Sequence, residues 1–202
     1  MAEFKNLVKR VAVILSKMEL PYVIVGGYAA ILRGVPRTTT GLDLIIANVP
    51  SKISLFLDEL KNNQFEVLDN QIQMAFAEGA NASIYDSESA LRIDLKIARK
   101  SDELEVLNSA VEEVYEEITL RVAPAEEILY GKLLYLGDIS DIQDAELLEY
   151  SDIRDFVYIF HRQSELDINW LTSKAKEREL DLTLQRLIKI SKTRPTTQRK
   201  LL

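Results

Sequence analysis

The sequence predicts an α+β protein, in which a mixed sheet packed on helices is followed by a C-terminal helical domain. Short apolar runs rich in β-branched residues alternate with helical periodicity up to about residue 122. After Pro124 the helical period continues alone. We therefore expect an α/β domain at 1–122, a helical domain at 123–191 and a basic tail at 192–202 whose composition permits disorder.

The first elements predicted are a helix, a strand and a second helix. Apolar side chains at helical spacing predict the helix at 2–18, and a proline follows its end. The β-branched run at 22–25 predicts a buried strand that leads directly into Gly26-Gly27. The pattern at 28–33 predicts a short helix, which a further glycine ends. This strand, glycine turn and helix form the first informative unit.

The rest of the first part follows from similar signals. A threonine run precedes the next apolar segment, a proline precedes the next helical pattern with Ser51 as its N-cap, and a polar turn separates two later strands. The predicted elements are a strand at 42–47, a helix at 51–62, a strand at 65–68, a short helix within 70–79, strands at 82–85 and 91–97, a helix at 102–110 and an extended segment at 118–122.

The second part shows only the helical period. Apolar side chains recur three and four residues apart in five segments, with no strand pattern between them. The predicted helices are 125–136, 141–149, 153–162, 168–178 and 180–190.

Composition excludes several classes of protein. With 202 residues, of which 47% are hydrophobic, the chain is long enough for one large core or two small ones. It contains no cysteine and one histidine, which excludes a disulfide framework and a thiolate zinc site, so a divalent ion would need carboxylate ligands. No apolar run is long enough to span a bilayer and no cleavable signal pattern is present. We expect a cytoplasmic protein with no membrane partner.

The glycine turn begins a signature that resembles a known family. Its residues are Gly26, Gly27, Tyr28, Ala29, Gly34, Arg37, Thr39 and Asp43, with Asp94 on a later strand. Their spacing resembles the nucleotidyltransferase superfamily, whose fold is shared by the polymerase-beta-like enzymes, over residues 20–98. The resemblance implies a nucleotidyltransferase fold that binds a nucleoside triphosphate, with ATP the favoured nucleotide.

The residue types suit that chemistry. Side chains two apart on a strand point to the same side, and an acid on a neighbouring strand can join them around Mg²⁺ or Mn²⁺. Asp43 and Asp94 are therefore the candidate metal ligands and catalytic residues. Gly26 and Gly27 would let a triphosphate approach backbone N–H groups at a helix start, while Arg37 and Thr39 would contact its phosphates. Two metal ions about 4 Å apart would stabilise the attacking and leaving oxygens of a displacement.

One position departs from the family pattern. Gly41 stands where the first acid of the Asp-x-Asp pair is expected, so one metal carboxylate is absent. Three explanations stay open: an inactive relative that still holds a nucleotide, an enzyme that recruits a ligand from Thr40 or from an acid of the tail region, or a sequence changed at this position. The first is favoured.

The second part resembles abortive-infection-type and minimal nucleotidyltransferases. The resemblance lies in the segment Pro124–Leu133 and in the later segment 151–155. It implies that Lys132 faces the triphosphate, whereas the alternative is an exposed lysine on a helix surface. Asp152 is expected to cap its helix. A toxin–antitoxin setting follows by analogy of fold alone.

Two main functions stay open. The first is transfer of a nucleoside monophosphate from ATP or another NTP to an RNA, a protein or a small-molecule acceptor. The second is a catalytically impaired nucleotide-sensing or partner-binding module, in which the acidic region 101–155 and the basic tail are docking surfaces. A helix-rich interaction domain with an incidental glycine turn is a more distant third possibility.

Overall fold

The protein combines one mixed sheet with helices, as seen in a computed structural model that describes residues 2–115, 117–144 and 146–193. This architecture confirms the predicted α+β class. The described strands are β1 (Tyr22–Ile24), β2 (Gly41–Ile46), β3 (Phe65–Glu66), β4 (Ala82–Asp86), β5 (Arg92–Ile97), β6 (Val111–Tyr115) and β7 (Ile118–Val122). The described α-helices are α1 (Ala2–Met18), α2 (Gly26–Leu32), α3 (Pro50–Asn62), α4 (Asp69–Ala77), α5 (Ser101–Ser109), α6 (Ala125–Leu136), α7 (Ser151–Arg162), α8 (Ile168–Glu177) and α9 (Asp181–Thr193).

The chain divides into two compact units. The first unit comprises Met1–Ile31 and Arg37–Pro124, and the second comprises Leu32–Pro36 and Ala125–Leu202. The predicted tail at 192–202 lies outside the described residues from position 194 onward, and its first two residues end α9.

The sheet of the first unit has seven strands in the order β3-β4-β5-β2-β1-β7-β6. The central pair β2 and β5 is parallel, with Gly41 opposite Arg92 and Asp43 opposite Asp94. Side chains alternate between the two faces of a strand, so these four residues share one face. The other face of this pair carries fully buried apolar side chains, such as Leu44 and Leu95.

That apolar face is the core side of the first unit. In α1, the buried residues Leu7, Val11 and Leu15 recur at helical spacing, and each is 1% exposed. Phe56 and Leu60 of α3 have no exposed area. Burying such side chains contributes roughly 1.5–3 kcal/mol each. The opposite face of β2 and β5 carries the polar residues Asp43, Arg92 and Asp94.

Two helix starts differ from the prediction. α2 begins at Gly26, two residues earlier than expected, so both glycines belong to its first turn. α3 begins at Pro50, and its N-cap is Val49 without a side-chain hydrogen bond, so the predicted Ser51 cap is wrong. Proline suits the first helical position because its missing N–H would have no intrahelical partner there.

One region was left without a predicted element, and another was predicted with the wrong structure. The segment 111–115 forms the edge strand β6, although its adjacent glutamates break the apolar alternation of a strand. An edge strand tolerates this pattern because charged side chains there face water. In the predicted helix at 141–149, the described part contains only a short 3-10 helix at Leu147–Glu149.

Helices α6 to α9 form the second unit, together with the segment 32–36. Their buried apolar residues include Leu133, Phe156, Leu171 and Leu187, none of which has exposed area. In the described part of the chain, no helix has the length and hydropathy needed to cross a bilayer.

A buried carboxylate on β4, that of Asp86, leads us to expect that the stability of the fold decreases in acid. Asp86 is 7% exposed, and it accepts hydrogen bonds from the Ser89 hydroxyl at 2.5 Å and from the Arg10 guanidinium. Burial raises the pKa of Asp86. The hydrogen bonds from Ser89 and Arg10, together with the charge of Arg10, lower the pKa by more than burial raises it, so the net shift is downward. The contribution to stability is full above the unfolded pKa of about 3.9 and is lost as the pH falls through the lower folded pKa.

We expect Asp86→Asn to lower the free energy of unfolding at pH 7 by about 1–3 kcal/mol, because the buried donors lose a charged acceptor. The variant should also lose part of the acid dependence below about pH 4. Urea unfolding at pH 7, 4 and 3 measures both effects. Asp58→Asn is the control, since the Asp58 side chain is 61% exposed. An acid dependence equal to that of the wild type would contradict the assignment.

Candidate functional site

The turn after β1 lies against the carboxylate of Asp43. Gly26 has a φ of +64°, and a Cβ there would lie 2.2 Å from Asp43 Oδ2. Such a distance is a collision, so both the backbone conformation and the close approach require glycine. The Gly27 N–H donates to Asp43 Oδ2 at 3.3 Å. The first turn of α2 and the middle of β2 are thus joined through one carboxylate.

Arg37 and Thr39 lie beside the same turn. A Cβ on Gly27 would be 3.2 Å from Arg37 Nη2 and 3.3 Å from Thr39 Oγ1. The Thr39 hydroxyl donates to the carbonyl of Gly41 at 3.1 Å and accepts the N–H of Gly41 at 3.3 Å. Arg37 Nε donates to the carbonyl of Thr38 at 3.3 Å. Thr39 therefore fixes the start of β2, and the structure brings it together with Gly27, Arg37 and Asp43.

The two predicted metal carboxylates are neighbours across the β2–β5 pair. Asp43 and Asp94 occupy paired positions, and both are half-buried on the same face. Adjacent strands lie about 4.8 Å apart, so the two carboxyl groups are close enough to share a ligand. This pairing follows from the period of two on each strand and from the parallel register.

Asp94 has two partners that we did not predict as site residues. Arg92 Nε lies 2.9 Å from Oδ2 and 3.1 Å from Oδ1, and the Ser83 hydroxyl donates to Oδ1 at 2.6 Å. Arg92 lies two residues before Asp94, and Ser83 is paired with Asp94 across β4 and β5. The spacing of Arg92 was a usable signal, because residues two apart on a strand share a face.

Gly41 lies directly against this ion pair. A Cβ at position 41 would be 2.8 Å from Asp94 Oδ2 and 3.7 Å from Arg92 Nη2. The guanidinium therefore lies beside the position at which the resembled signature has its first acid. A cationic side chain is found where a third carboxylate was expected.

The donor set falls short of the three-carboxylate metal centre that the resembled signature implies. Asp94 accepts three hydrogen-bond contacts from Arg92 and Ser83, and Asp43 accepts from the backbone N–H of Gly27. Among the residues that the structure describes, no group of three or more acidic or histidine side chains is placed to hold a metal ion. Mg²⁺ needs near-octahedral oxygen ligands. Ligation of Mg²⁺ or Mn²⁺ by Asp43 and Asp94 stays a prediction.

Lys132 is buried in the second unit instead of lying exposed on a helix. Its Nζ lies 2.6 Å from Asp152 Oδ1 and 2.6 Å from Asp155 Oδ2, and the residue is 6% exposed. Asp152 does not cap α7, whose N-cap is Tyr150 without a side-chain hydrogen bond. Asp155, 1% exposed, was missed although it follows Asp152 by three residues on one helix face. The role of Lys132 toward a nucleotide stays a prediction.

Comparison of the chain with known proteins shows similarity of fold. No protein-family model matches the chain, and no curated protein matches it. The solution structure of the antibiotic-resistance factor ANT(2'')-Ia matches with a TM-score of 0.58 at 15% identity, over 92% of this chain and 98% of that one. A crystal structure of ANT(2'')-Ia in complex with adenylyl-2''-tobramycin matches with a TM-score of 0.50 at 12% identity, over 91% and 96%.

An antigenic nucleotidyltransferase-like protein from Paracoccidioides brasiliensis is also similar. Its crystal structure matches with a TM-score of 0.54 at 18% identity, over 96% of this chain and 94% of that one. These neighbours confirm the resemblance that the signature predicted. The chain has the fold of the nucleotidyltransferase superfamily.

Proposed function

We propose that this protein binds a nucleoside triphosphate, with ATP the favoured nucleotide, and is impaired in nucleotidyl transfer. The observation that carries the proposal is the guanidinium of Arg92, which is paired with Asp94 beside Gly41. In that arrangement one metal carboxylate is absent and a second is engaged with a cation. The protein is thus a nucleotide-binding or nucleotide-sensing module built on a transferase fold.

The binding surface is the polar face around the glycine turn. Arg37 lies beside Gly27. Arg92 lies on β5, where it is paired with Gly41 of β2. Guanidinium groups bind phosphate oxygens through paired N–H donors, and glycine lets a phosphate approach the backbone closely. These features support the triphosphate as the ligand.

Replacing Arg37 tests the site. We expect Arg37→Gln to weaken ATP binding about tenfold, because a charge-assisted hydrogen bond is worth about 1.5–3 kcal/mol. Isothermal titration calorimetry of the wild type and the variant measures the change, and thermal unfolding shows whether the variant is folded. Arg162→Gln is the control, because Arg162 is an exposed residue in the last turn of α7.

Three outcomes would count against the proposal or against the place of Arg37 in it. An absence of ATP binding by the wild type would refute nucleotide binding itself. Equal affinities of Arg37→Gln and the wild type would remove Arg37 from the site. Loss of affinity in Arg162→Gln as well would show that the effect of Arg37 is not local.

Active transfer of a nucleoside monophosphate is the second candidate. The paired register of Asp43 and Asp94 favours it, since two carboxylates that share a cation need such proximity. ANT(2'')-Ia was crystallised with an adenylylated aminoglycoside, tobramycin, so a hydroxyl of a small molecule is the acceptor to test first. Pyrophosphate release from ATP by the unchanged protein would favour this function over the first. RNA and protein acceptors and the toxin–antitoxin setting stay predictions.

A further inference from the structure

We propose that Arg92 takes the part of a divalent cation at this site: its guanidinium neutralises Asp94 and binds the phosphates of the nucleotide, so triphosphate binding needs no metal ion. The inference rests on the proposed function, nucleotide binding at this face of the sheet. It adds the identity of the cation that recognises the phosphates.

The first argument concerns the contacts of Asp94. Its side chain is 12% exposed, and both of its oxygens accept from Arg92 Nε, at 2.9 and 3.1 Å. The Ser83 hydroxyl adds a third contact at 2.6 Å. A metal ion ligated by Asp94 would have to displace the guanidinium or stand next to it, where the two cations would repel each other.

The second argument concerns the free donors of Arg92. Its side chain is 40% exposed, and only Nε makes a hydrogen bond to a residue that the structure describes. The two Nη groups therefore remain for a ligand. The guanidinium fork matches phosphate geometry, and arginine is favoured wherever two parallel N–H donors meet an anion.

The third argument concerns the glycine at position 41. Its backbone does not have a positive φ, so the conformation of the strand does not require glycine there. The space favours it, because a Cβ would lie 2.8 Å from Asp94 Oδ2 and the carboxylate would have to shift. Glycine within a strand often marks a close approach by another group. Here that group is the Arg92–Asp94 pair, so Gly41 and Arg92 are explained by one arrangement.

The fourth argument is the balance of charge. Around positions 41 and 43 lie two carboxylates, Asp43 and Asp94, and two guanidiniums, Arg37 and Arg92, while Lys96 of the same face is paired with Glu103. With an acid at position 41 the same face would be negative, and a triphosphate would be repelled unless a metal ion intervened. With glycine there, the formal charges cancel and the guanidiniums can bind phosphate directly.

The test is a titration of ATP into the full-length protein in EDTA and, separately, in excess MgCl₂. We expect the two dissociation constants to agree within about threefold, which corresponds to a small free-energy difference. Binding in MgCl₂ that falls about tenfold or more in EDTA would overturn the inference and leave nucleotide binding intact. No binding in either buffer would refute the proposed function, and this inference with it.

Variants of Arg92 complete the test in EDTA. We expect Arg92→Gln to weaken ATP binding about tenfold or more, and Arg92→Lys to weaken it less, since lysine keeps the charge but not the fork. Lys17→Gln is the matched control, because Lys17 is an exposed cation of the same unit, paired with Glu59. Thermal unfolding establishes that each variant is folded. Unchanged affinity in folded Arg92→Gln would overturn the inference.

Discussion

Changing Gly41 to aspartate and Arg92 to glutamine in one molecule is expected to create a three-carboxylate metal site on the face of β2 and β5. The double variant would place carboxylates at 41, 43 and 94 on one face of two paired strands. It would also remove the cation that engages Asp94. We expect Mn²⁺ binding to tighten by about two orders of magnitude, because one carboxylate ligand is added and one competing cation is removed.

The single change Gly41→Asp should give much less. A side chain at position 41 begins 3.7 Å from Arg92 Nη2 and 2.8 Å from Asp94 Oδ2. The new carboxylate would therefore form an ion pair with the guanidinium and would not be available as a metal ligand. Arg92→Gln alone should also bind Mn²⁺ weakly, because only two carboxylates are then present.

Electron paramagnetic resonance of free Mn²⁺ measures binding in all four proteins, and an assay of pyrophosphate release from ATP shows whether transfer chemistry follows. The wild type should release pyrophosphate at the background rate. Mn²⁺ binding by the wild type as tight as by the double variant would contradict the proposal that Arg92 takes the place of a metal ion. Thermal unfolding is the control for the fold of each variant.

The second large effect is expected at the glycine turn. Gly26→Ala should lower the free energy of unfolding by about 3 kcal/mol or more, combining left-handed backbone strain of about 1–2 kcal/mol with overpacking. The added Cβ would lie 2.2 Å from Asp43 Oδ2 and 3.0 Å from Asp43 Cβ, so a rotation of the carboxylate cannot relieve it fully. The same displacement of Asp43 should abolish measurable ATP binding.

Gly79→Ala supplies the matched control for this prediction. Gly79 has a φ of +70°, close to that of Gly26, and a Cβ there would meet no atom within 4 Å. Its replacement should cost only the backbone strain and leave ATP affinity unchanged. Urea unfolding and calorimetry measure the two quantities for both variants. Equal losses of stability would show that contact with Asp43 plays no part.

The sequence predicted the strand, the glycine turn and the helix, because each depends on local conformation. The apolar run indicates the strand, the glycine pair the turn, and the helical period the helix. It also predicted that Asp43 and Asp94 would be candidates for one site. It did not predict Arg92 as a member of that site, although the spacing of two from Asp94 placed both on one face. An arginine on a strand is ordinarily solvated, so its pairing becomes visible only when the neighbouring Gly41 is seen to leave room for it.

Other misses have different physical causes. β6 was missed because an edge strand can carry adjacent glutamates on a solvated side, which removes the alternation that identifies strands. The sequence leaves an exposed position open for Lys132, because a sequence shows a charge but not the groups that pair with it. The buried cluster with Asp152 and Asp155 depends on how two helices pack within the second unit.

The parallel ladder between β2 and β5 is built from backbone hydrogen bonds, and it sets the spacing of positions 41, 43, 92 and 94 whatever side chains they carry. The backbone register therefore holds these four positions in place while their side chains change. Substitutions at positions 41 and 92 alone would exchange the balance of acid and cation on this face without altering the sheet.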